Sequence, residues 1–507
     1  MLHMRSRFQD FCLVLIVRFK YVSRLDFLSG IDIFWFTKIK SLNINQKIFF
    51  MEKQKESLKL SHLTAISSVD GRYGSRTAPL REYLSEYALF KYRTLVEVKY
   101  FLRMSKTVPQ LSDFDIYLNM FFFDSLIAQF SLENAQAIKN HEKTTNHDVK
   151  AVEYYLRDHF DQLKISQFKE FIHFGLTSYD INSPAVNMMI RDALTNVIIP
   201  ELKELIVKIM EFAICCTKIP MLAHTHGQPA SPTKLSKEIM VFVDRLKILH
   251  QQIIDYNFEA KFGGATGNFN AHYAAYPDVD WHSWAEAFLL EDFNLIRQQT
   301  TIQIESYDNL AQLFDLLKRV NTVFIDLSRD MWTYISMNYF NQKPKKDEVG
   351  SSAMPHKVNP IDFENAEGNA GIAIALFEHL STKLPVSRLQ RDLSGSTVER
   401  VIALPLAHFL ISILSLHKAF GKIEPNLKKI NSDLEQNWAV IAEGIQTILR
   451  REKYPDPYTA LKELTRKGEN ELITKEVIHA WIDTELKVSD AIKKELKALT
   501  PWNYVGK

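Results

Sequence analysis

Apolar side chains recur at alternating steps of three and four within a 66-residue stretch that lacks glycine and proline, between Pro277 and Pro344. The recurring positions are Leu310, Leu313, Leu317, Val320, Phe324, Leu327, Met331 and Tyr334. This spacing forms one stripe along a helix and matches the seam of a left-handed helical bundle. We predict a helix from about Asp308 to Tyr339, about 48 Å long at 1.5 Å per residue, and expect it to pack against other subunits.

A second uninterrupted stretch, between Pro232 and Gly263, has the same character. Its apolar positions Ile239, Phe242, Val243, Leu246, Leu249 and Ile253 share one side of a predicted helix. No run alternates long enough to suggest a sheet, and no repeat of 20 to 50 residues is visible. We therefore predict an all-α fold.

Composition and charge exclude several classes of protein. Among 507 residues, 46% are apolar and 24% charged, which is typical of a globular protein rather than a disordered or collagen-like one. The net charge of +2 indicates neither a nucleic-acid partner nor an acidic tail. The three cysteines, Cys12, Cys215 and Cys216, form neither a disulfide framework nor a spaced metal-ligand set, which suits a reducing compartment.

The first fifty residues differ from the rest, because they hold eight Lys/Arg against three Asp. Their longest apolar run, Cys12 to Val17, is far short of the about 20 residues that span a bilayer, and charges interrupt any signal-peptide core. We expect residues 1–50 to be an extension outside the fold. Translation from Met51 and an organellar presequence remain open alternatives.

Glycine and proline gather with polar residues in short segments, where we expect helices to end and a site to be built. These segments lie around Asp70 to Gly74, Gly175 to Pro184, His224 to Pro232, Gly263 to Gly267, Gly350 to Pro360 and Leu384 to Gly395. Several are dense in His, Ser, Thr, Arg, Asn and Lys, and we interpret them as one site folded from distant parts of the sequence.

The segment 350–360 reads GSSAMPHKVNP and predicts a loop. Its backbone N–H groups can converge on an anion, Lys357 adds positive charge, and Asn359 can donate a hydrogen bond to a carboxylate. A solvated turn is the alternative for a Gly-Ser-Ser taken alone.

Two segments carry histidines that can transfer protons near neutral pH. His224 and His226 precede a glycine. One alternative is a metal site, for which the sequence shows no third ligand nearby, and the other is a hydrogen-bonded structural histidine. His147 stands beside Asp148, which could orient the imidazole, although a helix N-cap cluster explains that segment equally well.

Two further segments suit anions, because the planar guanidinium of arginine fits carboxylate and phosphate. One is 71–74, with Arg72 and Tyr73, and the other is 388–397, followed by Arg400. Ser396 and Thr397 at a helix start would add hydroxyl and backbone donors. Surface ion pairing is the alternative.

Segment 350–360 resembles the signature loop of the fumarase/aspartase superfamily, whose members release fumarate. Four other segments resemble the adenylosuccinate lyase family of the bacterial type. The similarity of the chain to this family extends from about Leu60 to Gly506. They are IDFEN at 361–365, TNHDVK at 145–150, THGQP at 225–229 and KLPVSR at 383–388. Residues 1–50 have no counterpart in that family.

The resemblance implies a fumarase/aspartase-like subunit of three helical domains, with a long central bundle that forms a twenty-helix core in a homotetramer. Each active site would be assembled from three subunits. We expect the N-terminal domain at 51–165, the central domain with the signature loop at 166–420, and the C-terminal domain at 421–507.

The implied reaction eliminates fumarate from adenylosuccinate, giving AMP, and from the succinyl-carboxamide imidazole ribonucleotide of purine synthesis. Ser351 matches the general base and His226 the general acid, while His147 helps to position the substrate. The resemblance also implies a set of substrate-binding residues: Arg72, Tyr73, Asn146, His147, Asp148, Thr177, Ser178, Gln303, Lys357, Val358, Asn359, Asn365, Arg391, Ser396, Thr397 and Arg400.

The implied partners are a small nucleotide substrate and further copies of the chain, with no nucleic acid, membrane, metal or organic cofactor, in the cytoplasm. Two positions depart from the family pattern: His224 replaces an arginine, and Tyr179 follows Ser178 where an acidic residue is common. A related fumarate-releasing lyase such as argininosuccinate lyase, a cycloisomerase, or a catalytically silent helical scaffold are the alternatives.

Overall fold

The computed structural model describes residues 59–114, 116–343, 354, 357–466 and 473–506. The predicted extension 1–50 and the predicted base Ser351 lie outside the described residues. Contacts divide the chain into two units, with residues 59–72 in one and the chain from Tyr73 onward in the other. In the shorter unit, His62 Nδ1 lies 2.6 Å from the carbonyl oxygen of Asp70.

The described residues from Tyr73 onward are mostly helical, as predicted. The helices of the first part are α1 (Gly74–Thr77), α2 (Arg81–Leu84), α3 (Glu86–Ser105), α4 (Ile116–Ala128), α5 (Leu132–Thr145) and α6 (Asp148–Gln162). The middle part contains α7 (Ser178–Ala193), α8 (Ile199–Cys215), α9 (Leu235–Ile254), α10 (Asn270–Ala275), α11 (Trp281–Phe293), α12 (Asp308–Ser336) and α13 (Ile361–Lys383). The last part contains α14 (Ser394–Glu399), α15 (Ala403–Phe420), α16 (Leu427–Glu435), α17 (Ala442–Arg451), α18 (Pro457–Arg466), α19 (Lys475–Thr484) and α20 (Asp490–Lys497).

Local sequence explains where several helices begin. Ser85 caps α3 by accepting a hydrogen bond from the Ala88 N–H, and Ser131 with Asn134 forms a capping box at the start of α5. Short 3₁₀ turns at Ala78–Leu80, Pro109–Leu111, Ser166–Phe171 and Trp438–Ile441 connect helices. A π-helical turn, Leu194–Ile198, joins α7 to α8.

The longest helices form a bundle. Helix α12 packs along α13, α13 along α15, and α8 against α9 and α15. The predicted stripe of α12 is buried from Leu310 to Met331, while Tyr334 at its end is half-buried. All six predicted apolar positions of α9 are buried as well. The periodicity therefore predicted both helices and their inward faces correctly.

Three short two-stranded ribbons occur among the described residues, and the sequence pattern did not predict them. Strands β1 (Pro220–Thr225) and β2 (Gln228–Lys234) pair antiparallel, β3 (Glu259–Ala260) and β4 (Ile296–Arg297) pair parallel, and β5 (Phe340–Gln342) and β6 (Ile423–Pro425) pair antiparallel. The prolines within and beside β2 obscured its strand character, because proline is disfavoured inside sheets.

The hydrophobic core has separate parts. An aromatic-rich cluster that includes Tyr100, Phe262 and Trp281 joins α3, α6 and α11, whereas the C-terminal helices share their own cluster around Leu449 and Ile482.

The predicted domain boundaries near 165 and 420 stay predictions. Within the described residues, Ser394–Phe420 alone passes the length and hydropathy criteria for a membrane span, and 67% of that window is buried inside the fold, as in a core helix.

Candidate active site

A cavity of about 350 Å³ lies where α6 and α7 begin, beside α14. This volume falls within the range of small-molecule sites. Six of the predicted site residues line it: His147, Asp148, Ser178, Arg391, Ser396 and Arg400. They come from three distant stretches of sequence, so the tertiary structure brings together what the motifs suggested separately.

Two helices begin at this cavity. The side chain of His147 caps α6, because its Nδ1 accepts a hydrogen bond of 3.1 Å from the Lys150 N–H. Thr177 precedes α7, and its N–H donates to the Asp180 carboxylate at 2.8 Å. The first residues of both helices, Asp148 and Ser178, line the cavity. Helix N-termini carry partial positive charge, so this arrangement favours an anion.

His147 and Asp148 do not form the oriented pair considered from the sequence. The His147 Nδ1 lies 4.0 Å from the Asp148 Oδ1, and it already accepts the Lys150 N–H. The proton of a neutral imidazole therefore resides on Nε2, which leaves His147 with a donor for a ligand. The N-cap interpretation of this segment is confirmed.

Asp148 instead pairs with arginines. Its Oδ2 lies 2.8 Å from Arg93 Nη2 and 3.6 Å from Arg400 Nη2. Burial by itself would raise the pKa of Asp148, but the Arg93 charge and hydrogen bond, the Val149 N–H and Arg400 hold the pKa below its usual value. Asp148 is thus an ionised anchor that fixes two guanidinium groups at the cavity.

Arg391 is held by three neighbours. Its Nη1 donates to Gln303 Oε1 at 3.1 Å and to Ser178 Oγ at 3.3 Å. Its guanidinium also lies over the Tyr179 ring, 4.9 Å from the centroid. The Tyr179 hydroxyl is 3.2 Å from Ser396 Oγ. Tyr179, which departs from the family pattern, thus connects Arg391 with Ser396.

The sequence analysis missed other residues of the cavity lining, among them Arg93, Asn182 and Glu399. Arg93 lies in the buried helix α3 and donates to Asn182 Oδ1 at 2.8 Å, without any motif around it. Glu399 stands three positions after Ser396, one helical turn away, and that spacing was the one available signal.

Glu399 is an unusual carboxyl group for a cavity lined by arginines. The buried Tyr307 hydroxyl donates to its Oε1 at 3.1 Å. Burial raises the pKa of Glu399 to about 7, against the lowering effects of the Tyr307 hydrogen bond and the charges of Arg93, Arg400 and Arg391. Glu305, buried nearby, has a pKa raised well above the usual value by burial and by the Glu399 charge.

Replacing Glu399 with glutamine should therefore make the protein more stable than the wild type, by an amount that increases with pH. The folded-state pKa of about 7 lies above the value of an unfolded glutamate, so folding favours the protonated form. Below the pKa of the unfolded glutamate, the wild-type protein has the full stabilisation that the protonated Glu399 provides. It loses this stabilisation as the pH rises through the folded-state pKa of about 7. The Tm of Glu399→Gln should exceed that of the wild type by a gap that widens from pH 5 to 7 and then levels.

Differential scanning fluorimetry across pH 5 to 9 measures this gap. Glu204→Gln removes an exposed carboxylate and serves as the control for the loss of a surface charge. A Tm gap for Glu399→Gln that stays constant across this pH range would contradict the assigned burial effect.

A second group of predicted residues lies at the start of α13. Asn365 Nδ2 donates to the Tyr73 hydroxyl at 2.8 Å. Upstream, Lys357 and Val358 are exposed, and the Val358 carbonyl accepts a hydrogen bond from Gln342 at 2.8 Å. Asn359 is half-buried. None of these residues is among those that line the cavity.

His226 occupies a third place, the turn between β1 and β2. Thr225 pairs with Gln228, and the two residues between them have positive φ, 52° for His226 and 74° for Gly227. Both central positions of a type I′ turn require this conformation, which explains the glycine. The turn presents the exposed His226 at the tip of the ribbon, outside the cavity lining. His224 is half-buried, with its ring 6.2 Å from that of Tyr339.

The remaining predicted residues contribute locally. Asn146 ends α5 in a left-handed conformation, with its N–H donating to the Glu142 carbonyl at 2.8 Å. Thr397 is exposed on α14, and Arg72 is exposed in the other unit. Among the side chains that the structure describes, no group of three His, Cys, Asp or Glu is arranged to hold a metal ion.

Two family models match the chain. One, described as lyase, covers residues 71–374, and the other, described as adenylosuccinate lyase C-terminal, covers 387–505. The adenylosuccinate lyase of Dictyostelium discoideum is 51% identical over 89% of this chain and 98% of its own length. That of Escherichia coli strain K12 is 43% identical over the same shares of each chain.

Solved structures with the same architecture share little sequence. A fumarate lyase from Mesorhizobium sp. BNC1 superposes with a TM-score of 0.66 at 15% identity, covering 85% of this chain and 95% of that one. A 3-carboxy-cis,cis-muconate lactonizing enzyme from Pseudomonas putida gives 0.65 at 18%, covering 85% and 94%. At these identities the likeness concerns the fold alone, and it confirms the predicted helical superfamily fold.

Proposed function

This chain belongs to the adenylosuccinate lyase family of fumarate-releasing lyases, and from that premise we propose how its residues divide the work on the substrate. The enzyme eliminates fumarate from adenylosuccinate in purine biosynthesis. The substrate has three features to be recognised: a succinyl group with two carboxylates, a nitrogen that links it to the base, and a 5′-phosphate.

The cavity binds the 5′-phosphate. The observation that carries this assignment is the convergence of three guanidinium groups, from Arg93, Arg391 and Arg400, with the first residues of α6 and α7 at one cavity. A guanidinium group can donate two parallel hydrogen bonds to phosphate oxygens, and the partial positive charge of a helix N-terminus favours an anion. Asp148 holds Arg93 and Arg400 in place, while Tyr179 and Gln303 hold Arg391.

The elimination needs a base and an acid on opposite sides of the succinyl group. Ser351 removes the proton next to a carboxylate, and Lys357 and Asn359 stabilise the carbanion by charge and hydrogen bonding. His226 protonates the departing nitrogen of the base. A serine is a weak base in water, so the substrate-bound site has to exclude solvent around Ser351.

Several subunits contribute to each site in this proposal. His226, the Tyr73–Asn365 pair and the arginine cavity form three separate groups within one protomer. The bundle helices also leave large apolar side chains exposed, including Ile248 on α9, Trp332 on α12 and Ile372 on α13. A homotetramer packed through these helices would cover such side chains and bring the groups of different protomers together.

We assign the enzyme to the cytoplasm, where its cysteines stay reduced.

Mixing two inactive variants tests the shared site. His226→Ala and Arg391→Ala should each impair the conversion of adenylosuccinate to AMP and fumarate, followed by ultraviolet absorbance. Co-expression should restore up to roughly a quarter of the wild-type activity, because random hybrid tetramers contain sites with both native residues.

The matched control mixes Arg391→Ala with Arg400→Ala. Both residues line the cavity of one protomer, so every hybrid site lacks at least one of them and activity should not return. Native mass spectrometry confirms that hybrids have formed. Hybrids of the first pair that stay inactive would refute the shared site, whereas a wild-type enzyme that releases no fumarate from adenylosuccinate would refute the function itself.

A further inference from the structure

Four side chains form a continuous hydrogen-bonded chain between α1, α13 and α15. Arg76 Nη1 donates to Ser415 Oγ at 3.4 Å. Ser415 Oγ donates to Asn365 Oδ1 at 2.8 Å, and Asn365 Nδ2 donates to the Tyr73 hydroxyl at 2.8 Å. Arg76 also lies over the Tyr73 ring, 5.8 Å from its centroid, so it contacts both ends of the chain.

The direction of these hydrogen bonds follows from the chemistry of the first member. A guanidinium only donates, so the Ser415 oxygen accepts from Arg76, and the single hydroxyl hydrogen of Ser415 is left to donate to Asn365. The Asn365 amide then has its oxygen toward Ser415 and its NH₂ toward Tyr73. With the amide reversed, the Ser415 hydrogen would lose this acceptor at a buried position, which is unfavourable.

The surroundings hold this chain in place. Ser415 is 1% exposed. One turn after Asn365, Asn369 Nδ2 donates to the Asn365 carbonyl at 2.8 Å, and the Asn369 Oδ1 lies 2.8 Å from His408 Nδ1 on α15. Helices α13 and α15 are therefore joined by buried polar contacts at Ser415 and, further along, at His408, which restrict movement of the Asn365 backbone.

The last member of the chain keeps a hydrogen to offer. The Tyr73 hydroxyl oxygen accepts from Asn365, and within the described residues its own hydrogen has no hydrogen-bond acceptor. A phenolic hydroxyl that already accepts a hydrogen bond is polarised toward donation. The acceptor that suits it best is an anionic oxygen, because hydrogen bonds to ionised acceptors are stronger than those between neutral groups.

We propose that Ser415 is a positioning residue for substrate binding, which acts through Asn365 to keep the Tyr73 hydroxyl available as a hydrogen-bond donor to an anionic oxygen of the substrate. The proposal rests on the proposed function and on the substrate contact that the family resemblance implies for Tyr73. Without the Ser415 hydroxyl, the Asn365 amide is free to reverse. Tyr73 would then donate to the Asn365 oxygen instead of to the ligand.

A double-mutant cycle on the intact enzyme tests this coupling. Tyr73→Phe should lower kcat/KM for adenylosuccinate about 10-fold or more, mainly through KM, as expected for a lost hydrogen bond to a charged group. Ser415→Ala should lower it about 5-fold in the wild-type enzyme and less than about 2-fold in the Tyr73→Phe enzyme, because its effect passes through the tyrosine.

Ser412→Ala is the matched control. Ser412 lies one turn before Ser415 on α15, is fully buried, and donates to the carbonyls of Ala366 and His408 rather than to a side chain. Its loss should change the Tm but leave KM unchanged. Ser415→Cys, close in size to serine with a weaker donor, provides a second variant and should shift KM in the same direction as Ser415→Ala.

The outcomes separate the two proposals. If Tyr73→Phe leaves KM unchanged, the assigned substrate contact of Tyr73 is wrong, and the role of Ser415 is rejected with it. If Tyr73→Phe raises KM but Ser415→Ala has the same effect in both backgrounds, the substrate contact stands and the coupling through Asn365 is overturned. A KM effect of Ser412→Ala equal to that of Ser415→Ala would also overturn the coupling.

Discussion

Replacing Ser351 or His226 with alanine is expected to lower the turnover number for adenylosuccinate at least about 10²-fold, the smaller effect that loss of a general acid or base produces. The proposed roles require different groups at the two positions: a base for the proton beside the carboxylate, and an acid for the leaving nitrogen. Because His226 lies exposed at the tip of the β1–β2 turn, its removal leaves no cavity in the core. The variant should therefore fold normally.

Steady-state kinetics with circular dichroism at matched enzyme concentration measures the effect. Ser352→Ala, at the adjacent serine, is the control for Ser351. His141→Ala, which removes a half-buried imidazole of α5 that lies beside Asp158, is the control for His226. Both controls should keep the native turnover number. Turnover within tenfold of wild type for Ser351→Ala or His226→Ala would remove the catalytic role from that residue.

Replacing Lys261 with methionine is expected to destabilise the fold by about 3–5 kcal/mol, the usual cost of removing one partner of a buried ion pair. Lys261 and Asp180 have fully buried side chains, and the Lys261 Nζ lies 2.7 Å from Asp180 Oδ1. The carboxylate also accepts the Gly263 N–H at 2.8 Å. Removal of the ammonium group would leave the Asp180 charge in the interior with hydrogen bonds but without the counter-charge that contacts it directly.

The consequence extends to the cavity, because Asp180 lies in the first turn of α7, whose first residue Ser178 lines it. Chemical denaturation followed by circular dichroism measures the loss of stability. Lys91→Met breaks the exposed ion pair with Glu82 and should cost less than about 1 kcal/mol. Equal effects of the two substitutions would show that burial of the Lys261–Asp180 pair has no energetic importance.

The helical architecture could be predicted from local patterns. The apolar stripes of α9 and α12 have a helical period, and nearly all of their positions are buried. The β1–β2 ribbon could not be predicted in this way. Its strands are short and contain prolines, and its turn depends on positive φ at His226 and Gly227, which the pairing of the two strands imposes.

Prediction of the candidate site was uneven for the same reason. Arg391, Ser396 and Arg400 stand in one polar segment and were found there, whereas Arg93 is a single arginine in a buried helix without a motif. Its role at the cavity follows from the contact with Asp148, 55 positions away in the sequence. Tyr179 departs from the family pattern, and its contact with the Arg391 guanidinium follows only from the packing of segments far apart in the sequence.

Periodicity and short motifs were enough to predict the helical class, the two long helices with their buried faces, the family and the chemical character of the site segments, because these features are local in sequence. Which of those segments meet depends on the packing of the helices. Contacts between residues far apart in sequence leave no periodic signal, so the arginine cavity, the raised pKa of the half-buried Glu399 and the hydrogen-bonded chain from Arg76 to Tyr73 depend on how the helices pack.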